Sequence, residues 1–195
     1  MHVGANDGRE RAAYGALDLP VLWIEALPEA YSRLRRNLAE FPKQRARCAL
    51  VTDRDGVNYS FGVSSNNGRS SSIYELAQHK DTWPDIHYVK RVELTSTTLE
   101  RVLDEERVSY NLLVLDAQGA ELDILRGAGR HLTQFTHVHL EVADYQAYAG
   151  ACLLHEVMDW MTARGYAETE REEFGYHPSG AGCYYNIAFS SCAAS

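Results

Sequence analysis

Apolar residues in this chain come in short unbroken runs and in spaced stripes, and the two alternate along its length. Val21-Leu22-Trp23-Ile24, closed by Glu25, is too short for a helix and has no polar interruption, so it predicts a strand buried on both faces. Pro28-Glu29 then opens a helix, since proline at the first helical position gives up no needed hydrogen bond. Leu27, Tyr31, Leu34, Leu38 and Phe41 follow at steps of three and four and give that helix one apolar face. Residues 48–51 predict another short strand, and 57–63 alternate as a half-exposed strand does before the polar loop 64–72. Residues 77–87 read as a surface insertion. A strand over 89–94 leads to a helix capped by Thr97 or Thr98, with Leu99, Val102 and Leu103 inward. The clearest buried strand is Asn111-Leu112-Leu113-Val114-Leu115-Asp116, an apolar run that ends abruptly in a carboxylate. A helix from Glu121, a strand over 137–142 and a helix bearing Leu154, Val157, Met158 and Met161 come next, the last stopped by Gly165. Segments 166–174 and 184–190 form a closing hairpin. The alternation predicts a single α/β domain over 1–195, its sheet covered by helices on both faces and ended by an antiparallel hairpin.

Composition narrows the function. With 195 residues and no repeat or low-complexity stretch, the chain suits one domain. Its 19 Lys and Arg against 27 Asp and Glu give a net charge of -8, which disfavours a general phosphate-neutralising surface and hence nucleic acid as a partner. No apolar run approaches the ~18 residues of a membrane helix. The first residues lack the basic-then-apolar pattern of a secretory leader, so a cytoplasmic protein is expected. Cys48, Cys152, Cys183 and Cys192 form no CxxC pair, which fits reduced thiols and gives no zinc set.

Four places carry candidate chemistry. Val3-Gly4-Ala5-Asn6-Asp7-Gly8 is a glycine-rich turn leading into a helix, where backbone can pass close to a ligand. It is not GxGxxG, and Asp7 would repel the pyrophosphate of a nicotinamide dinucleotide; a phosphate-free cation suffers no such penalty. Asp7 can equally cap the helix, with Glu10 completing a capping box. Glu25, about 20 residues past the turn at a strand's carboxyl end, is placed to accept from both hydroxyls of a ribose. Asp116 ends its strand at the same edge of the sheet, where a carboxylate can orient an acceptor hydroxyl or act as general base. Glu121 either shares that cleft or only supports the following helix electrostatically. His139 and Glu141 share a strand face. His137, His139 and Glu141 spread over ~13 Å at ~3.3 Å per residue, too far for one metal ion, so no metal is expected.

Val3-Gly4-Ala5-Asn6-Asp7-Gly8, Trp23-Ile24-Glu25-Ala26-Leu27-Pro28, Asn67-Gly68-Arg69-Ser70-Ser71-Ser72 and Leu115-Asp116-Ala117-Gln118-Gly119-Ala120-Glu121 together resemble the FkbM family of S-adenosylmethionine-dependent methyltransferases, over nearly the whole chain. The resemblance implies a Rossmann-like class I methyltransferase sheet, with S-adenosylmethionine as cofactor and O-methylation of a hydroxyl on a sugar or secondary metabolite. It implies Gly4, Ala5, Asn6, Asp7 and Gly8 at the methionine part and sugar, Glu25 at the ribose, Asp53 at the adenine, and Ser71 and Ser72 in a cofactor-contacting loop. Asp116 is then the catalytic candidate, with Gln118, Glu121 and Glu141 toward the acceptor. Three departures stand out. His2 occupies a usually acidic position, Gln118 replaces a usual glutamate, and only Met1, His2 and Val3 are available for the first strand, which is expected to be a stub.

Two other readings compete. A non-catalytic S-adenosylmethionine-binding module would keep the fold without turnover. A nicotinamide-dependent oxidoreductase is disfavoured by the missing GxGxxG and by Asp7.

Overall fold

The computed structural model describes residues 1–106 and 108–192. In chain order it contains β1 (His2–Val3), α1 (Arg11–Ala16), β2 (Val21–Glu25), α2 (Pro28–Asn37), β3 (Gln44–Cys48), β4 (Leu50–Thr52), β5 (Asn58–Ser64), β6 (Glu75–Leu76), α3 (His79–Thr82) and β7 (Tyr88–Thr98). There follow α4 (Leu99–Glu106), β8 (Leu112–Leu115), α5 (Glu121–Arg126), a 3-10 segment (Gly129–Gln134), β9 (His137–Ala143), β10 (Tyr148–Ala149), α6 (Leu154–Thr162), β11 (Tyr166–Phe174) and β12 (Tyr184–Ser191). A seven-stranded sheet has the order β11-β12-β9-β8-β1-β2-β3. Its β9-β8-β1-β2-β3 half is parallel, and β12 and β11 add antiparallel as a hairpin. Beside it stand a three-stranded sheet, β4-β7-β5, and the small pair β10-β6.

Alternation along β2 explains the layering. All five residues are buried. Val21 and Trp23 pack with Leu34 of α2 and Leu38 just past its end, while Leu22 and Ile24 join the main core with Leu99 and Val102 of α4, Ile124 of α5 and Val157 of α6. The buried Trp23 indole donates to Gln44 Oε1 at 3.0 Å, so its polar atom costs nothing unmet. Helices thus flank the sheet on both sides. On the α1/α2 side, cover stops near β1, and the rest of that face opens as a groove of about 760 Å³ lined by Tyr14, Val114, His139 and Ala188.

Strand β1 pairs His2 and Val3 with Trp23 and Ile24 on one side and Val114 and Leu115 on the other, and Met1 continues the ladder to β8 through Leu112 O and Val114 N.

Four local readings change. The strand predicted over 48–51 is two strands, β3 and β4, with Ala49 between them donating to Glu25 O. The sheet's edge is β3, Gln-Arg-Ala-Arg-Cys, whose Arg45 and Arg47 pair with Glu106 and Glu105. Charged edges of this kind resist pairing with another chain, and they carry no apolar signal. The strand read over 89–94 runs from Tyr88 to Thr98. Residues 77–87 are no simple surface insertion, because α3 carries the buried His79. At α1 no side-chain cap bond forms, so Asp7 and Glu10 make no capping box. At α4 the cap is Thr98, whose hydroxyl accepts from Arg101 N at 3.2 Å.

Candidate functional site

The turn after β1, the end of β2 and the end of β8 meet at one edge of the sheet, as expected for ligand sites in parallel sheets. Gly4 has φ +84°, and a Cβ there would fall 1.8 Å from Asp116 O. Only glycine lets the first turn pass so close to the third strand of the site. Gly4→Ala is expected to lower stability by at least about 2 kcal/mol, through the left-handed backbone and the overlap together, and urea unfolding measures it.

Beyond Gly4 the chain is held by Glu25. Asn6 N donates to Glu25 Oε2 and Leu27 N donates to Oε1, both at 2.8 Å. The carboxylate is 6% exposed; burial raises its pKa, and the two backbone donors oppose that rise. Each oxygen keeps a lone pair for a further donor. Nearby, Asn37 Nδ2 donates to the Asp7 backbone carbonyl and Asn6 Nδ2 to Asn67 O, while Asn6 Oδ1 and Asp7 Oδ1 are buried without partners among the described residues. Orphan buried polar atoms call for an explanation, and both of these are acceptors. A donor-rich, cationic ligand fits them.

Two cavities share a wall of Gly4, Asn6, Arg69, Asp116 and Gln118. The first is a slot of about 60 Å³ between Ile24-Glu25-Ala26, Ala49-Leu50-Val51 and the Phe61 and Ile73 side chains. The second is a chamber of about 410 Å³ that adds Asp7, Arg9, His79, Trp83, Glu141, Phe174 and Tyr184. The loop between β5 and β6 closes the slot. Its hydroxyls take up backbone donors of the same segment: Ser64 N donates to Ser71 Oγ and Ser70 N to Ser64 Oγ, each at 3.0 Å.

Carboxylates concentrate on the shared wall. Asp116 is open to the cleft but ringed by protein, and desolvation pushes its pKa up to about 6 against a hydrogen bond from Gln118 Nε2 at 2.6 Å. Glu141 is held well above the usual carboxylate range by burial and then by the charge of Asp116. Glu121, 1% exposed, is pushed up to about 8 by burial. Its Oε1 accepts from Ala117 N at 2.7 Å and its Oε2 from Gly119 N at 3.0 Å, so it braces the 116–120 turn from behind. His2 sits under the wall, stacked on Trp23 at 4.7 Å, its pKa lowered to about 3 by desolvation. The floor is therefore neutral where an acid was expected by resemblance.

The remaining candidates fall as follows. Gly4, Ala5, Asn6 and Asp7 line the cleft, whereas Gly8, at φ +70°, turns the chain against Leu34. Ser71 lines the slot; Ser72 lies behind it, donating to Gln118 O at 2.8 Å. Asp53 lies off both cavities beside Arg54. Sequence reasoning did not find His79, Phe174, Tyr184, Arg9 and Arg69 as chamber residues. Among nearby aromatics, Trp83 lines the chamber, while Tyr145 and Tyr148 are buried.

A glycine turn, an acid on the next strand and a further acid across the cleft, on this sheet order, are the layout of a class I S-adenosylmethionine-dependent methyltransferase fold. Residues 2–168 match the Methyltransferase FkbM domain, and the chain belongs to that family of methyltransferases. It is 24% identical over 168 residues to the 2-O-methyltransferase NoeI of Sinorhizobium fredii, covering 82% of this chain and 69% of NoeI. Among solved structures it resembles M. capricolum TrmK in complex with S-adenosyl-homocysteine, with TM-score 0.56 and 9% identity. That match covers 97% of this chain and 60% of TrmK, so the chain spans about three-fifths of that protein's length. It also resembles the magnesium protoporphyrin IX methyltransferase ChlM of Synechocystis PCC 6803 with bound SAM, with TM-score 0.52, 6% identity, and coverage of 97% and 68%. No helix among the described residues is long and apolar enough to cross a membrane.

Proposed function

We propose that this protein methylates a hydroxyl oxygen of a small molecule, a sugar or secondary metabolite, with S-adenosylmethionine as cofactor. The observation that carries the reading is the wall common to slot and chamber, with Asp116 standing on it. A donor held in the slot and an acceptor held in the chamber would meet there.

The residues present fit the cofactor. Glu25 takes the ribose hydroxyls on its free lone pairs, pre-aimed by Asn6 N and Leu27 N. Ala49, Leu50, Val51, Phe61 and Ile73 give the adenine an apolar slot. The orphan oxygens of Asn6 and Asp7 receive the ammonium end and favour positive charge. At about 60 Å³ the slot is narrower than ordinary ligand pockets of ~300–1,000 Å³, so admitting a nucleoside would require the β5–β6 loop to shift outward. Bound there, S-adenosylmethionine supplies an electrophilic methyl on a cationic sulfur.

Asp116 takes the proton that the acceptor hydroxyl gives up, and Gln118 holds that carboxylate in place. Trp83, Phe174 and Tyr184 exclude water and offer faces to the acceptor's apolar edges. Arg9 and Arg69 stand at the rim of a chain that is otherwise acidic. The location consistent with this chemistry is the cytoplasm, where the cofactor is made available to small metabolites.

The test is incubation with methyl-labelled S-adenosylmethionine and a panel of hydroxylated sugars and metabolites. Label recovered as a methyl ether supports the reading. Saturable S-adenosylhomocysteine binding with no transfer to any acceptor would favour the non-catalytic module instead.

A further inference from the structure

Gln118 stands where two carboxylates and a phenol meet. Its Nε2 donates to Asp116 Oδ1 at 2.6 Å and lies 3.5 Å from Glu141 Oε1. Its Oε1 accepts from the Tyr148 hydroxyl at 2.6 Å. The amide's orientation is decided at both ends. The ionised Asp116 carboxylate only accepts, so an N–H must face it, and the reverse flip would set a carbonyl oxygen against that acceptor and an NH₂ against the Tyr148 hydroxyl. Tyr148 is 2% exposed, and burial raises its phenol well above the ordinary range, so it keeps the proton that it donates. The backbone takes part as well. Gln118 has φ +54°, a left-handed conformation that non-glycine residues rarely hold, and the Ser72 hydroxyl pins its carbonyl at 2.8 Å. Strain held by tertiary contacts at a cleft wall is the mark of a residue whose direction matters.

We propose that Tyr148, acting through Gln118, is a positioning residue: the locked amide is a neutral clamp that holds the Asp116 carboxylate toward the acceptor chamber and keeps it separate from Glu141. The proposal deepens the methyltransferase reading above and rests on Asp116 as the group that takes the acceptor's proton. A glutamate in place of Gln118 would crowd a third carboxylate onto the wall, whereas the amide bridges two acids with N–H groups. Tyr148 reaches this point from the β10–β6 pair, which ties the clamp to an element outside the central sheet.

The carboxylate of Asp116 is also faced by Glu10 from the start of α1, by Glu25 from β2, by Glu121 from α5 and by Glu141 from β9. His2 and Tyr184 share its walls, and Arg9 and Arg69 line the chamber. A shift of its titration must therefore be read against variants that touch none of these groups. Tyr148→Phe and Gln118→Met replace none of these groups: one removes a hydroxyl from a buried ring, the other replaces an amide by an apolar chain of similar length and also takes an N–H from beside Glu141, so the Glu141 carboxyl is followed in the same spectra.

The experiment is a pH titration of the full chain, carboxyl-¹³C labelled at Asp and Glu, followed by NMR in the parent and both variants. In the parent the Asp116 carboxyl is expected to titrate near about 6. In each variant its midpoint should rise by about half to one pH unit, because the ionised form loses or loosens its amide donor. A midpoint that stays put in both folded variants overturns the clamp. A rise in Tyr148→Phe with none in Gln118→Met also overturns it, since the effect would then not pass through the amide. A rise in Gln118→Met with none in a folded Tyr148→Phe overturns the part given to Tyr148, and should Tyr148→Phe fail to fold, a flat midpoint in Gln118→Met still overturns the clamp. Calorimetric titration of the same parent sample with S-adenosylhomocysteine separates the two claims. Absent binding would sink the cofactor reading, while the carboxyl midpoints still judge the clamp.

Discussion

Replacing Glu25 by alanine is expected to weaken S-adenosylhomocysteine binding by ~10²-fold or more. Each charge-assisted bond to a ribose hydroxyl is worth roughly 1.5–3 kcal/mol, and two are lost together. The same change removes the acceptor for Asn6 N and Leu27 N, so it also costs stability, about 1–3 kcal/mol for each amide left unmet in a buried place. Glu25→Gln separates the two effects. It keeps the volume and one strong acceptor but sets an NH₂ against one of those backbone donors, so melting should fall less than in the alanine variant while affinity still drops ~10-fold. Calorimetric titration and thermal unfolding, run on both variants, read these outcomes. Undiminished affinity in a folded Glu25→Ala protein would remove Glu25 from the cofactor site.

Asp116→Asn is expected to lower kcat by ~10²–10⁴-fold, the usual worth of a positioned proton acceptor. The asparagine oxygen can still accept from Gln118 Nε2, so the wall keeps its shape and only the basic group is gone. S-adenosylhomocysteine affinity should change by less than ~3-fold. The pH profile follows from the same assignment. Desolvation puts the Asp116 pKa at about 6, and a base works only when ionised, so kcat should rise with pH through about 6 and then level. In Asp116→Asn that limb should vanish. Equal losses of turnover and of cofactor affinity would assign Asp116 a structural role.

These effects trace to residues that the sequence exposes to different degrees. Strand β2 is legible because both of its faces are buried, which writes it as an unbroken apolar run ended by Glu25; β8 writes the same kind of run, ended by Asp116, although Leu112 and Val114 on one of its faces line the open groove. Strand β3 is not, because an edge strand puts Arg45 and Arg47 to water and loses the apolar period. Gly4 and Glu25 are readable from spacing, since a tight turn and an acid on the next strand are local features. The chamber is assembled differently. His79 arrives on α3 with Trp83 just past its end, and Phe174 and Tyr184 come on the two arms of the hairpin; Tyr148, buried behind the wall, comes on a two-residue strand. Their meeting depends on long-range pairing, such as Tyr148 with Leu76 and Tyr184 with Ala143, for which no local pattern exists. The capping box shows the opposite failure. Asp7 and Glu10 have the right spacing, yet α1 begins at Arg11 with Glu10 at the cap position, and no side-chain cap bond forms.

Binding measured by calorimetry, with S-adenosylhomocysteine and NAD titrated separately into the unmodified protein, bears most directly on the central claim. The account predicts a saturable one-to-one heat with the first ligand and none with the second, because the turn at Asp7 welcomes positive charge and rejects a pyrophosphate. Heat from NAD alone, or silence from both, would contradict it.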